Sequence, residues 1–465
     1  MKKLINKIGT SEVIVMILTA CLGIRWIPVA GSMGPSAILF WIAGALLFFI
    51  PLSLIVMELT HHYNKDGGVY LWVKQSLGDR FGFYTAWLYW INNFFFYPGL
   101  LVFMVANIAY LFGDKTLAEN HLFVISVVII CLWSAIFINI KGIKWIANIA
   151  SYACVLNIFL AMFIILSGLI YLIFFHKSAT SFQIYHFIPN QTTWKNISNL
   201  TLLMFALSGI ELIPTMAGSI QNSRVTLMRS IVISGLIILS VYMLGTLTIN
   251  IIMSPSELNN TTGLMETFLV ISTKLHIGWI TMLLILLLFL VELGALLIWL
   301  IAPTVMLFEC VESTIFPRWM QELNKHHVPA NALILIGCIV TCIIMLIQYL
   351  PTVNSIFTTL VLMGTIVYFM PYLFLIVGYI KLRAKNALPE PIMSKSLAYC
   401  CGMLLFIAVC TGIILSFFPS ADIQTRQHLI VYEIELIGGP LLFMALGYFM
   451  YARSVRRPAT YSRDR

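Results

Sequence analysis

The chain has 465 residues, 60% hydrophobic and only 10% charged, with a mean hydropathy of +0.97. That balance excludes a water-soluble globular domain, because apolar runs of about 20 residues are long enough to cross a bilayer and such runs recur along the chain. The formal net charge of +9 collects in the segments between them, so it speaks for membrane orientation and against nucleic-acid binding.

Twelve spans are predicted in chain order: 10–34, 36–61, 81–112, 121–140, 145–175, 197–220, 229–253, 277–310, 330–349, 354–380, 397–418 and 429–452. The fold class is an all-α polytopic membrane protein. The first and sixth spans share a hexapeptide, Gly23-Ile24-Arg25-Trp26-Ile27-Pro28 and Gly209-Ile210-Glu211-Leu212-Ile213-Pro214, identical at four of six positions. Glycine and proline suit a helix interior poorly, so both spans are expected to break within the membrane. A broken helix in lipid is tolerated only where its freed N–H and C=O groups face protein or a water-filled cavity. Two such breaks in corresponding halves point to a transporter with inverted repeats and a substrate site at mid-depth. Arg25 and Glu211 occupy the same place in the two copies, and a charge there is costly enough to suggest a role.

With the N-terminus in the cytoplasm, inner segments hold 21 of the 27 Lys and Arg; outer loops hold five, and Arg25 lies in the membrane. Both termini are therefore expected in the cytoplasm, and the protein in a cell (inner) membrane. The nine cysteines are scattered and no Cys/His group has metal-ligand spacing, so no metal is expected. No nucleotide-binding motif is present either, so no cofactor is expected and ATP is not the driver.

Between the second and third spans runs His61-His62-Tyr63-Asn64-Lys65-Asp66-Gly67-Gly68-Val69-Tyr70-Leu71-Trp72. His61 and Asp66 have the spacing of a membrane acyltransferase's His/Asp pair, with the histidine as general base. No basic substrate patch or phosphate cradle follows, and a solvated loop is the simpler reading.

Pro51-Leu52, Glu58, Gly67-Gly68-Val69-Tyr70 with Trp72, Leu77-Gly78 and Gly82-Phe83 resemble the corresponding junction of the amino acid/polyamine/organocation superfamily, most closely its glutamate/GABA antiporter branch. The likeness continues at Gly209-Ile210-Glu211 with Ala217-Gly218 and Asn222, at Trp299-Leu300-Ile301-Ala302-Pro303, at Leu323-Asn324-Lys325 with Val328-Pro329, and in the Pro419 to Gln424 loop. The resemblance implies five helices, five inverted helices and two more. Here that means one domain over 1–465: a first repeat over 1–175, an inverted repeat over 197–382, additional helices over 396–452 and a tail over 453–465. In the first span Cys21-Leu22-Gly23-Ile24-Arg25 stands where the family often has a Gly-Ser/Ala-Gly turn. The fifth span offers Asn148, Ser151 and Asn157 where some proton-coupled relatives carry a lysine.

The residues expected at the substrate are Gly23, Ile24, Arg25, Trp26, Asn93, Phe205, Ser208, Gly209, Glu211 and Trp299, with Arg25, Glu211 and Glu292 gating or carrying a proton. Freed backbone groups at the breaks are the first choice for substrate contact. Arg25 is expected either to fork onto a carboxylate or to pair with Glu211. Phe205 and Trp299 resemble aromatic positions that close over substrate. Glu58 is expected to fix the adjoining loop. The function expected is a secondary active transporter, permease or antiporter, moving an amino acid by alternating access, glutamate/GABA-like or proton-coupled. A transporter of polyamines or cationic amino acids is the alternative. Its partners are the lipid bilayer and a small amino acid or amine; a monomer and a homodimer both fit the sequence.

Overall fold

The computed structural model describes residues 9–63, 67–211, 223–311, 315–388 and 391–455. Among them every regular element is helical. In chain order the helices are α1 (Thr10–Cys21), α2 (Trp26–Gly31), α3 (Ala37–Gly44), running through a π turn at Ala45–Phe49 into α4 (Ile50–His62), α5 (Gly68–Leu77), α6 (Asp79–Ala109), α7 (His121–Ile140), α8 (Ile143–Phe175), α9 (Gln191–Lys195) and α10 (Asn199–Ala206). Then come α11 (Ser223–Ile252), α12 (Gly263–Lys274), α13 (Trp279–Cys310), α14 (Arg318–Gln321), α15 (Ala330–Ile347), α16 (Val353–Ala384), α17 (Lys395–Leu415) and α18 (Arg426–Val455).

Ten helices among the described residues are long and apolar enough to cross a membrane. They fall on ten of the twelve predicted segments, and the other two segments, 10–34 and 197–220, are the interrupted ones. α1 has 12 residues, about 18 Å at 1.5 Å per residue, too short for a hydrocarbon core of about 30 Å. After Cys21 the backbone turns extended at Leu22 (φ −83°, ψ 113°), and helix resumes at Trp26. Pro28 then sits in the first turn of α2, where its missing N–H leaves no helical bond unmade. α10 ends at Ala206, and Gly209 adopts φ 107°, a conformation that side-chain-bearing residues rarely take. Described structure stops two residues later. Pro214, Ala217, Gly218 and Asn222 lie outside it.

α6 forms the spine: nearly all of its residues from Phe83 to Ala109 are buried, against α16, α13 and α5. α1 and α2 pack on α11, and α8 bridges α11 and α13. α17 and α18 lie outside, on α16, and turn residues such as Met403, Ile414, Ile434 and Leu442 outward, as helices against lipid do.

From Gly68 on, the segment after the second span is not a solvated loop. It is α5, with Val69, Trp72 and Val73 buried because apolar residues spaced three and four apart share one helix face. Below it Glu58 is 2% exposed and accepts from Arg383 Nη1 at 3.0 Å and Ile392 N–H at 3.2 Å, with Tyr379 O–H on its other oxygen. Arg383 also donates to Met393 O at 2.7 Å. Glu58 thus ties α4 to α16 and to the segment leading into α17.

Candidate substrate site

The two breaks meet. A Cβ on Gly209 would stand 3.2 Å from Cys21 Sγ, so the left-handed glycine also permits the close approach of the two interrupted helices. Tyr242, fully buried on α11, joins them. Its hydroxyl donates to Cys21 O at 2.8 Å, lies 3.3 Å from Ala206 O, and accepts the Gly23 N–H at 3.0 Å. Asn157 of α8 donates to Leu22 O at 2.6 Å. Backbone groups expected to be left for substrate are thus partly taken by side chains, because the protein satisfies polar groups freed by a break wherever it can. Neither Tyr242 nor its role was read from the sequence; a tyrosine amid aliphatic residues of a span is its only signal.

A cavity opens beside the breaks. Of the residues expected at the substrate, Gly23, Arg25, Trp26, Phe205, Ser208, Gly209 and Trp299 line it, together with Glu292. Ile24, Asn93 and Glu211 are not part of that lining. Ile24 is fully buried, and Asn93 donates to Tyr89 O at 2.9 Å within its own helix. The cavity takes Asn92 instead. A run of two asparagines shows no preference between neighbours; only the rotation of α6 decides.

The pairing of Arg25 with Glu211 is corrected. Arg25 Nη1 donates to Glu292 Oε2 at 2.8 Å, and its guanidinium carbon lies 5.0 Å from the Trp26 ring and 5.4 Å from the Phe96 ring. Such stacking favours arginine over lysine at this place. A Cβ on Gly23 would come within 3.3 Å of that carbon, so a larger residue at 23 would displace the guanidinium. Glu211 turns back over its own break. It accepts from Gly209 N–H at 3.1 Å, from Tyr89 O–H at 2.5 Å and from Tyr368 O–H, and the two tyrosine oxygens lie 2.7 Å apart. The repeated hexapeptides suggested a mutual pair because their charges are opposite. The nearer partner of Arg25 comes from α13, which sequence distance conceals.

Aromatic rings close the wall. Phe205 packs on Trp26 at 5.8 Å, on Phe96 at 5.8 Å and on Tyr368 at 5.3 Å, and Phe96 packs on Trp299 at 5.7 Å. The cavity runs on past Thr19, Cys154 and Gly294 along α1, α8 and α13. On the side of α2 and α10 lies a network of amides and hydroxyls. Asn199 Nδ2 donates to Ser32 Oγ at 2.9 Å, and Asn260 Nδ2 lies 3.2 Å from both Asn199 Oδ1 and Thr358 Oγ1.

Interrupted helices around a charged, aromatic-walled cavity suit a small polar solute. Residues 8–440 match the amino acid permease family. The chain belongs to that family. It is 26% identical over 429 residues to an uncharacterized transporter of Legionella pneumophila, covering 90% of this chain and 91% of that one. It is 22% identical over 428 residues to a glutamate/gamma-aminobutyrate antiporter of Lactococcus lactis, covering 89% and 84%. A probable agmatine/putrescine antiporter of the same species is 22% identical over 432 residues, covering 92% and 91%. The protein is an integral membrane transporter of amino acids or related amines and not an enzyme. The acyltransferase reading of His61 and Asp66 falls with that; Asp66 lies outside the described residues.

Proposed function

We propose that this permease exchanges amino acids across the cell membrane by alternating access, with 1–175 and 197–382 acting as inverted repeats, both termini in the cytoplasm and substrate held beside the two breaks. The meeting of the interrupted helices at one cavity carrying Arg25 and Glu292 carries this reading. Lys and Arg crowd the segments assigned to the cytoplasm, which supports the orientation. The cavity's run along α1, α8 and α13 then leads toward the cytoplasmic side, and the Asn199–Asn260 network is the outer seal. Glu211, held by Tyr89 and by Tyr368 of the cavity wall, is the residue we assign to gating or proton coupling.

An acidic or zwitterionic substrate such as glutamate or GABA fits Arg25. A polyamine or cationic amino acid is the second reading, favoured by the carboxylate of Glu292 and by the likeness to a probable agmatine/putrescine antiporter. The test is uptake of labelled glutamate, GABA, arginine and putrescine into proteoliposomes, at two pH values, with and without internal substrate. Saturable uptake accelerated by internal substrate supports exchange; conductance without exchange overturns it, and counterflow by putrescine alone replaces the first substrate reading with the second.

A further inference from the structure

The polar atoms of the cavity wall are unequally matched. Glu292 uses Oε2 for Arg25, while its Oε1 is buried without a hydrogen-bond partner. The Nε of Arg25 is buried and unmatched as well, and so are the amide oxygens of Asn92 and Asn157. All four residues line the cavity, and Glu292 and Asn92 are each 1% exposed, Asn157 7%. Buried polar atoms are nearly always paired, because an unmade bond forfeits the hydration given up on folding. Asn93, Asn107, Asn139 and Asn250 carry bare amide oxygens away from the cavity as well; what marks this place for a ligand is that three unmatched acceptors, one of them a carboxylate oxygen, and one charged donor share a single cavity wall.

The complement can be named by its chemistry. An ammonium group brings three N–H donors and no acceptor, and a carboxylate only acceptors. Glu211 is held by Tyr89 and Tyr368 outside the lining, and the two charges that do line the cavity, Arg25 and Glu292, cancel, so a solute with its own excess charge would leave that excess uncompensated in the membrane interior, where it is costly. A solute bearing one ammonium and one carboxylate gives each protein charge a counter-charge and adds none. We infer that the transporter selects electrically neutral zwitterions, with the ammonium received by Glu292, Asn92 and Asn157 and the carboxylate by Arg25. The Arg25–Glu292 bond is then the contact that the substrate shares or replaces, and the rings of Trp26 and Phe96 hold the guanidinium meanwhile. This rests on the exchange reading above.

The test is counterflow in proteoliposomes of the full chain, with GABA, alanine, glutamate, arginine and putrescine as internal substrates at neutral pH. GABA and alanine, both net neutral, are expected to drive exchange at least tenfold faster than glutamate, arginine or putrescine. Glu292→Gln leaves the cavity with an excess positive charge and should raise the glutamate-to-GABA rate ratio at least tenfold. Arg25→Gln should raise the arginine-to-GABA ratio by as much. Glutamate, arginine or putrescine ranking first in the unaltered protein overturns the inference, as does an unchanged ranking in both variants. If neither variant can be purified folded, the ranking in the unaltered protein decides alone. Absence of counterflow and of thermal stabilisation with all five solutes would instead sink the exchange reading itself.

Discussion

Two buried carboxylates of this molecule each face an arginine, and they are finished differently. Glu58 is wrapped: Arg383, Tyr379 and the Ile392 N–H occupy both of its oxygens, and Arg383 is tied in turn to Met393. Glu292 takes one bond from Arg25 and leaves its other oxygen bare. The first pair stands at the junction of α4, α16 and the segment before α17, and the second faces a cavity. Arg383 Nε, like Arg25 Nε, is buried without a hydrogen-bond partner, so the contrast lies in the carboxylates: one with both oxygens occupied fastens elements, whereas one with an oxygen bare beside a cavity is poised to accept a third party.

The largest effect should come from the wrapped pair. Arg383→Ala leaves Glu58 as a buried charge without its counter-ion, a loss of about 3–5 kcal/mol, read as a fall in the thermal unfolding midpoint in detergent, with the substrate ranking unchanged. A midpoint that does not move would erase the contrast. Arg25→Ala should do the reverse. It abolishes GABA exchange while lowering stability less than Arg383→Ala, and equal losses of stability in the two variants would make both pairs structural.

Tyr368→Phe sharpens the comparison through the third buried carboxylate. It removes one of the donors on Glu211, and a hydrogen bond to a charged group contributes about 1.5–3 kcal/mol; we expect exchange to slow roughly ten- to hundredfold. An unchanged rate would place Glu211 with Glu58 as a fastener. Tyr242→Phe, which strips Cys21 O and Gly23 N–H of a common partner, should cost about 1–3 kcal/mol of stability, measured by the same unfolding assay.

The smallest effect lies outside the spans. Lys74 and Asp79 pair at 3.1 Å with side chains 32% and 69% exposed, and Asp79→Asn should change stability by less than about 1 kcal/mol. The hydrogen bond to Asp79 holds the Lys74 ammonium above its ordinary value. Its contribution is thus complete at neutral pH and disappears only as pH rises through the raised folded-state value, so the difference between variant and parent should vanish in strongly alkaline buffer.

Much of the architecture is legible without coordinates. Ten spans fall on ten predicted segments, and both interruptions occur where glycine begins a repeated hexapeptide. These features are local: a run of apolar residues dictates a helix in lipid, and Leu22 to Arg25 or Leu207 to Gly209 interrupt one within a few residues. The site is legible only in part. Gly23, Arg25, Trp26, Phe205, Ser208, Gly209, Glu292 and Trp299 could be named in advance, but their partners could not. α5 was hidden in a polar-looking stretch whose apolar residues fall on one helix face. Phe96, Tyr89, Tyr368 and Tyr242 are aromatic residues among many others, 13% of the chain being Phe, Trp or Tyr.

By itself the sequence determined that this chain crosses a membrane many times, that two of its spans are interrupted, and that charges lie near those interruptions. Hydrophobicity and backbone conformation act over neighbouring residues, so adjacent letters are enough to read them. Which charge meets which was decided by the tertiary structure. Arg25 reaches Glu292 across 267 positions, and Glu211 finds tyrosines on α6 and α16, because packed helices place side chains by rotation and depth rather than by order along the chain.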